Sequence, residues 1–197
     1  MSIEEKADFR WPRKGDRPFT QADNPYENAA IEGRAQSRLM LMFAGYKLAA
    51  DLMVQQSNQG SYERAALVYP IVFNYRHFIE LSLKYIIATY GGTVGIEPNW
   101  ETHELETLWK TFIQVLNKFG HKDPDGTDEI MSEIIAEFAK VDERSFSFRY
   151  PVDKQGKTIP LGHEELDLNA LADVMKGLEG YFIGTDGYLD NLQNAGP

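Results

Sequence analysis

The sequence predicts an all-α protein, an up-and-down bundle of four to five helices with a small β-hairpin inserted near residues 145–160. Three observations carry that expectation. Apolar residues recur at spacings of three and four through most of the chain, short polar turns separate these segments, and a single stretch changes to alternation. With 197 residues, 43% of them apolar and 25% charged, the chain has the size and composition of one globular domain.

The elements follow in order. Residues 1–25 contain Pro12, Pro18 and Pro25 and no apolar period, so an extended arm is expected there, made locally basic by Arg10, Arg13, Lys14 and Arg17. The helical domain is expected over residues 26–190. From about Tyr26 to Gln56, Leu39, Met42, Phe43, Tyr46, Ala49, Ala50 and Met53 recur at helical spacing, with Leu41, Leu48 and Leu52 on the opposite side. A helix that is apolar on most of its circumference belongs between neighbours. Gln56 to Ser61 is polar and contains Gly60, a turn that favours an antiparallel return.

The second helix spans about Ser61 to Tyr90. Leu67, Val68, Ile71, Val72, Tyr75, Phe78, Ile79, Leu83, Tyr85 and Ile86 cover well over half of its wheel. Pro70 predicts a kink or a restart, and Gly91-Gly92 predicts the end. A third helix starts near Thr102, a candidate N-cap, and turns Leu105, Leu108, Trp109, Phe112, Leu116 and Phe119 inward. After the turn residues 122–127, a fourth carries Met131, Ile134, Ile135 and Phe138 on one face and Glu129, Glu133 and Glu137 on the other. Residues 144–151 alternate, and Asp153 to Gly156 form a turn before Lys157 to Pro160, which predicts the hairpin. A fifth helix begins after the N-cap Asp167, and residues past Gly184 are expected to fray.

Charge and composition exclude several classes of function. The formal charge is −10, and residues 100–143 alone carry −7. An acidic total disfavours nonspecific attraction to DNA or anionic lipid, although here the acidity is local. The absence of cysteine removes disulfides, thiol nucleophiles and Cys-ligated metals, and fits a reducing cytoplasm. Glu4, Glu5, Asp8 and Pro12 interrupt the region where a signal peptide would be apolar, and no apolar run approaches the ~18 residues a membrane span needs. A cytoplasmic protein without membrane association is expected. The chain has no HExxH, GxxxxGK[ST], GxGxxG or GxSxG, so zinc-protease, P-loop, dinucleotide and α/β-hydrolase chemistry lose their markers. No metal and no cofactor are expected.

What chemistry remains lies on the second helix. Arg76, His77, Glu80 and Lys84 fall within an arc of roughly 100°, the only polar stripe on an otherwise apolar rod. The spacing makes two i, i+4 ion pairs, Arg76 with Glu80 and Glu80 with Lys84, so the stripe reads either as a tidied wet face or as a functional one. Because so apolar a helix is central, its polar face is expected to open onto a groove or a subunit interface, where His beside Glu titrates near neutrality and Arg grips an anion. Asn74, His103, Arg149 and Tyr150 are further candidate binding residues. Arg149, set between Phe148 and Tyr150, can stack on a ring or hold a carboxylate or phosphate.

Three blocks together suggest a family. The run from Tyr75 to Lys84 (YRHFIELSLK), the run from Thr102 to Trp109 (THELETLW), and the run from Ser145 to Pro151 (SFSFRYP) with Asp153, Lys154 and Gly156 resemble the HEPN-like helical proteins of prokaryotes. The resemblance covers about residues 35–185. It implies a bundle of four or five helices, usually dimeric, from a superfamily frequent in toxin–antitoxin, phage-defence and RNA-processing systems. Its active members are metal-independent ribonucleases in which an Arg, four to six intervening residues and a His assist attack of the RNA 2′-hydroxyl on the adjacent phosphate. Here Arg76 and His77 are immediate neighbours, and no Arg is followed by a His at the family's spacing. The resemblance therefore implies a homodimer that binds RNA, a nucleotide or a protein partner. Two alternatives stand beside it: a ribonuclease toxin using Arg76 and His77, and a structural subunit docking through the acidic helix around residues 129–137.

Overall fold

The computed structural model describes residues 10–142 and 147–194. The chain divides into two units, 1–32 and 33–197. In the first, the Arg10 guanidinium donates to Asp16 at 2.6 Å, and the same carboxylate accepts from the Arg13 amide at 2.7 Å. One turn of 3₁₀-helix follows over Pro25–Glu27, capped by the Asn24 side chain on the Tyr26 amide. The described part of the arm is otherwise without regular structure.

The second unit is all-α. Its helices are α1 (Ala35–Ser57), α2 (Ser61–Tyr90), α3 (Leu105–Lys118), α4 (Thr127–Val141) and α5 (Leu168–Asn194). α1 starts at Ala35 and not near Tyr26, because residues 26–34 carry the 3₁₀ turn, Asn28 and Gly33 in place of a helical pattern. α2 runs unbroken through Pro70, so the proline does not restart it. It closes in a 3₁₀ turn over Gly91–Val94, where a Cβ on Gly91 would strike the Ile96 carbonyl oxygen; the left-handed residue that ends the turn is Gly95, with φ 74°.

α1 and α2 are antiparallel, as the pairs Gln36–Thr89 and Asp51–Tyr75 require. α5 runs in the direction of α2: Asn169 near its start bonds Asn58 at the α1–α2 turn, and Gln193 near its end bonds Thr93. The expected strict alternation fails at α3. His103, just before it, reaches Arg76, while Lys118 at its end reaches the Val94 carbonyl, so α3 is parallel to α2. The connection over residues 95–104 must therefore run back along α2. Ten residues reach up to about 33 Å, enough for the about 21 Å between residues 76 and 90 of a helix.

Other boundaries depart from expectation for local reasons. α3 begins at Leu105, and Thr102 uses its hydroxyl on the Glu104 amide at 3.2 Å, outside the helix. Asp167 caps α5 as expected, accepting from the amides of Asn169 at 2.9 Å and Ala170 at 3.0 Å. α5 does not fray after Gly184; it continues to Asn194 because Leu189 is fully buried and the Tyr90 hydroxyl donates to Asp186. No β-strand occurs among the described residues, and the expected hairpin shrinks to one antiparallel bridge, Val152 with Thr158. Pro151 and Pro160 have no N–H to extend a ladder, and the Lys157 amide donates to the Asp153 carboxylate. Residues 143–146, the first part of the predicted hairpin, lie outside the described residues.

α2 supplies the centre of the core. Ile71, Tyr75, Ile79, Leu83 and Ile86 are buried against Ala50 and Val54 of α1, Leu105, Phe112 and Leu116 of α3, Ile135 of α4, and Met175, Phe182 and Leu189 of α5. α1, by contrast, is not enclosed. Leu41, Leu48 and Leu52 are 61%, 59% and 54% exposed, so the helix is apolar on both sides while the described residues cover only one.

Candidate functional site

The polar stripe of α2 is buried. Arg76 has no exposed surface and Glu80 only 1%. The returning connection and the end of α4 close over them, which is how a stripe expected to face a groove becomes internal. Arg76 Nη1 donates to Glu80 Oε2 at 3.0 Å, Nε to the Asp142 carbonyl at 2.8 Å, and Nη2 to the His103 carbonyl at 2.7 Å. Lys84 Nζ donates to Glu80 Oε1 at 3.0 Å and points toward the Trp100 carbonyl at 3.4 Å. Both predicted i, i+4 pairs form. The fork of the guanidinium also ties α2 to the α3 entrance and the α4 exit at once, a geometry a lysine would not reproduce.

Glu80 is the hub. Besides Arg76 and Lys84 it meets His103 Nδ1 at 2.8 Å through Oε1. Burial alone pushes its pKa up, but the bonds from His103 and Lys84 and the Lys84 charge outweigh that, and the carboxyl sits below the ordinary range. A carboxylate held by three donor groups is a poor proton acceptor. Arg76, with all three guanidinium nitrogens engaged, is likewise withdrawn from any phosphate outside.

The two histidines at the stripe divide differently from the expectation. His77 is 20% exposed and sits in an aromatic box: Tyr46 packs edge-on at 4.4 Å and Phe73 stacks at 5.6 Å between ring centroids. Its Nδ1 has no hydrogen-bond partner and lies 3.9 Å from Glu80. Burial lowers its pKa more than Glu80 raises it, so the ring is held neutral at neutral pH. The histidine properly paired with Glu80 is His103, whose ring is 57% exposed. A buried carboxylate thus orients its ring while the ring edge stays exposed.

The remaining candidates are scattered. Asn74 donates to the Pro70 carbonyl one turn back on its own helix at 2.6 Å. The Arg149 guanidinium lies 5.7 Å from the Phe73 ring centre and also 5.7 Å from that of exposed Tyr150. Phe73 in turn stacks on His77, so Arg149 reaches the edge of the aromatic box. Glu129, Glu133 and Glu137 form an exposed face of α4. A second, half-buried junction carried no recognised signal in the sequence: the Tyr181 hydroxyl donates to Asp128 at 2.6 Å, and His121 Nε2 lies 3.2 Å from the same carboxylate. Among the described residues no group of three or more His, Asp or Glu side chains is arranged to hold a metal ion, and no helix is long and apolar enough to cross a membrane. No protein-family model, no curated protein and no solved structure matches the chain.

Proposed function

We propose that this chain is a HEPN-like helical protein that acts by dimerising and binding a partner, RNA or nucleotide, and does not itself cleave RNA. The observation that supports this reading best is the full internal engagement of Arg76. An arginine that donates to Glu80 and to the carbonyls of Asp142 and His103, without exposed surface, does not meet a scissile phosphate unless the connection over 95–104 opens. The use of the stripe is then architectural, and contacts with partners fall to surfaces.

The surface that favours a second copy is the outer side of α1. Leu41, Gly45, Leu48 and Leu52 are spaced four, three and four residues apart, the repeat of a helix–helix seam, and the three leucines are more than half exposed. Two such helices packed antiparallel about a two-fold axis between Gly45 and Leu48 match Leu41 of one copy with Leu52 of the other, so the stripe is self-complementary. Light scattering on the full chain is expected to give a dimer, and Leu48→Glu a monomer whose melting temperature hardly moves, since that side chain is already wet. Incubation of the wild type with total RNA and a chelator is expected to leave the RNA intact. A wild-type monomer at all concentrations contradicts the dimer, and chelator-resistant cleavage lost in His77→Ala replaces this reading with the ribonuclease one.

A further inference from the structure

Helix α2 carries a defect in its packing on the side away from the ion network. Residues 78, 82, 85 and 86 share one face of a helix, and three of them are large: Phe78, Tyr85 and Ile86. The fourth is Ser82. Opposite it, α1 offers Phe43 and Ala44 and α5 offers Phe182 and Ile183, and the short side chain leaves a cavity of about 180 Å³ between the three helices. A volume near 150 Å³ accommodates one six-membered ring. The walls are aromatic: Phe43 lies 5.4 Å from Tyr85 and 6.3 Å from Phe78, which lies 5.9 Å from Phe182, all between ring centres.

Two further features make this more than loose packing. Ser82 is 2% exposed, and its hydroxyl has no hydrogen-bond partner, a condition native cores seldom leave standing. Glu179 and Asp186 of α5 also line the cavity, so carboxylates stand beside an otherwise apolar chamber. They are only partly neutralised. Lys47 is shared between Asp51 at 2.7 Å and Glu179 at 3.2 Å, and Asp186 accepts from the Tyr90 hydroxyl at 2.7 Å but forms no ion pair among the described residues. Aromatic faces and surplus negative charge together favour a cation with an apolar body.

We propose that this cavity binds a small organic ammonium ion, with a body the size of one six-membered ring lodged against Ser82 and its charged head beside Glu179 and Asp186. The inference is independent of the dimer and of RNA. The probes are three one-ring compounds that differ in charge: benzylammonium, benzyl alcohol and benzoate, each titrated into the isotope-labelled full chain and followed by amide NMR shifts. Benzylammonium is expected to saturate shifts at the facing turns of α1, α2 and α5, about tenfold tighter than benzyl alcohol, with benzoate not binding. Ser82→Leu fills the chamber and is expected to abolish binding while holding or raising the melting temperature. Should that variant fail to fold, Ala44→Phe closes the same space from the exposed wall on α1. Glu179→Gln combined with Asp186→Asn is expected to reduce benzylammonium to the affinity of benzyl alcohol. Equal binding of all three probes, no saturable shift with benzylammonium, or undiminished binding when the chamber is filled overturns the proposal.

Discussion

Glu80→Ala is expected to lower the unfolding free energy by about 3–5 kcal/mol, because it strips a buried Arg and a buried Lys of their shared counter-charge. Arg76 would then stay inside with two backbone carbonyls and the Asp142 carboxylate at 3.7 Å, and Lys84 with the Trp100 carbonyl, and relief comes only if the connection over 95–104 lifts to admit water. Glu80→Gln keeps the shape and one acceptor, so a smaller loss is expected. Denaturant unfolding of the three proteins measures both; a loss under about 1 kcal/mol for the alanine variant would show that the network is already solvated. Acidity probes the same group with a definite sign. Since Glu80 titrates below its ordinary range in the fold, its contribution is complete above that range and is lost as pH falls through it to the lower folded value. His77, lowered in the fold, acts at higher pH: the unfolded chain takes up the proton more readily, so stability drops as pH falls through the ordinary imidazole value near 6.5. Stability measured from about pH 8 to about pH 3 is therefore expected to decline in two stages, the first absent in His77→Phe and the second in Glu80→Gln.

Leu189→Ala carries the second large effect, a loss of about 2–5 kcal/mol, although the residue lies only a few positions before the chain end. It is fully buried, and the surrounding turns of α5 are pinned by the Tyr90–Asp186 and Thr93–Gln193 hydrogen bonds, which hinder collapse of the hole. Ile183, six residues earlier on the same helix, is exposed, and Ile183→Ala is expected to stay within about 0.5 kcal/mol. Thermal or denaturant unfolding separates the two. Equal small losses would return the C-terminal turns of α5 to the fraying that their sequence suggests.

The expectation that residues past Gly184 fray shows where local reading ends. Helix α3 was legible almost residue by residue: Leu105, Leu108, Trp109, Phe112 and Leu116 are the positions its spacing turned inward, and all are buried. The pairs Arg76–Glu80 and Glu80–Lys84 were equally legible, because helix geometry places i and i+4 together whatever the rest of the fold does. Whether that stripe met water was not legible. Much of its covering comes from the carbonyls of Trp100, His103 and Asp142, and a backbone carbonyl is the same at every residue, so composition carries no trace of that part. The direction of the 95–104 connection, and with it the parallel run of α3, was hidden for the same reason.

The sequence by itself determined the helical class, the inward faces of the amphipathic helices, the cap at Asp167 and the two ion pairs on α2, all of which depend on contacts within a few residues. Tertiary structure alone decided that Arg76 and Glu80 are internal, that His103 and not His77 is paired with Glu80, that α1 leaves Leu41, Leu48 and Leu52 uncovered, and that Ser82 faces a cavity. Each of these is a matter of which distant segment arrives at a surface, and burial is a property of the arriving neighbour as much as of the residue it covers.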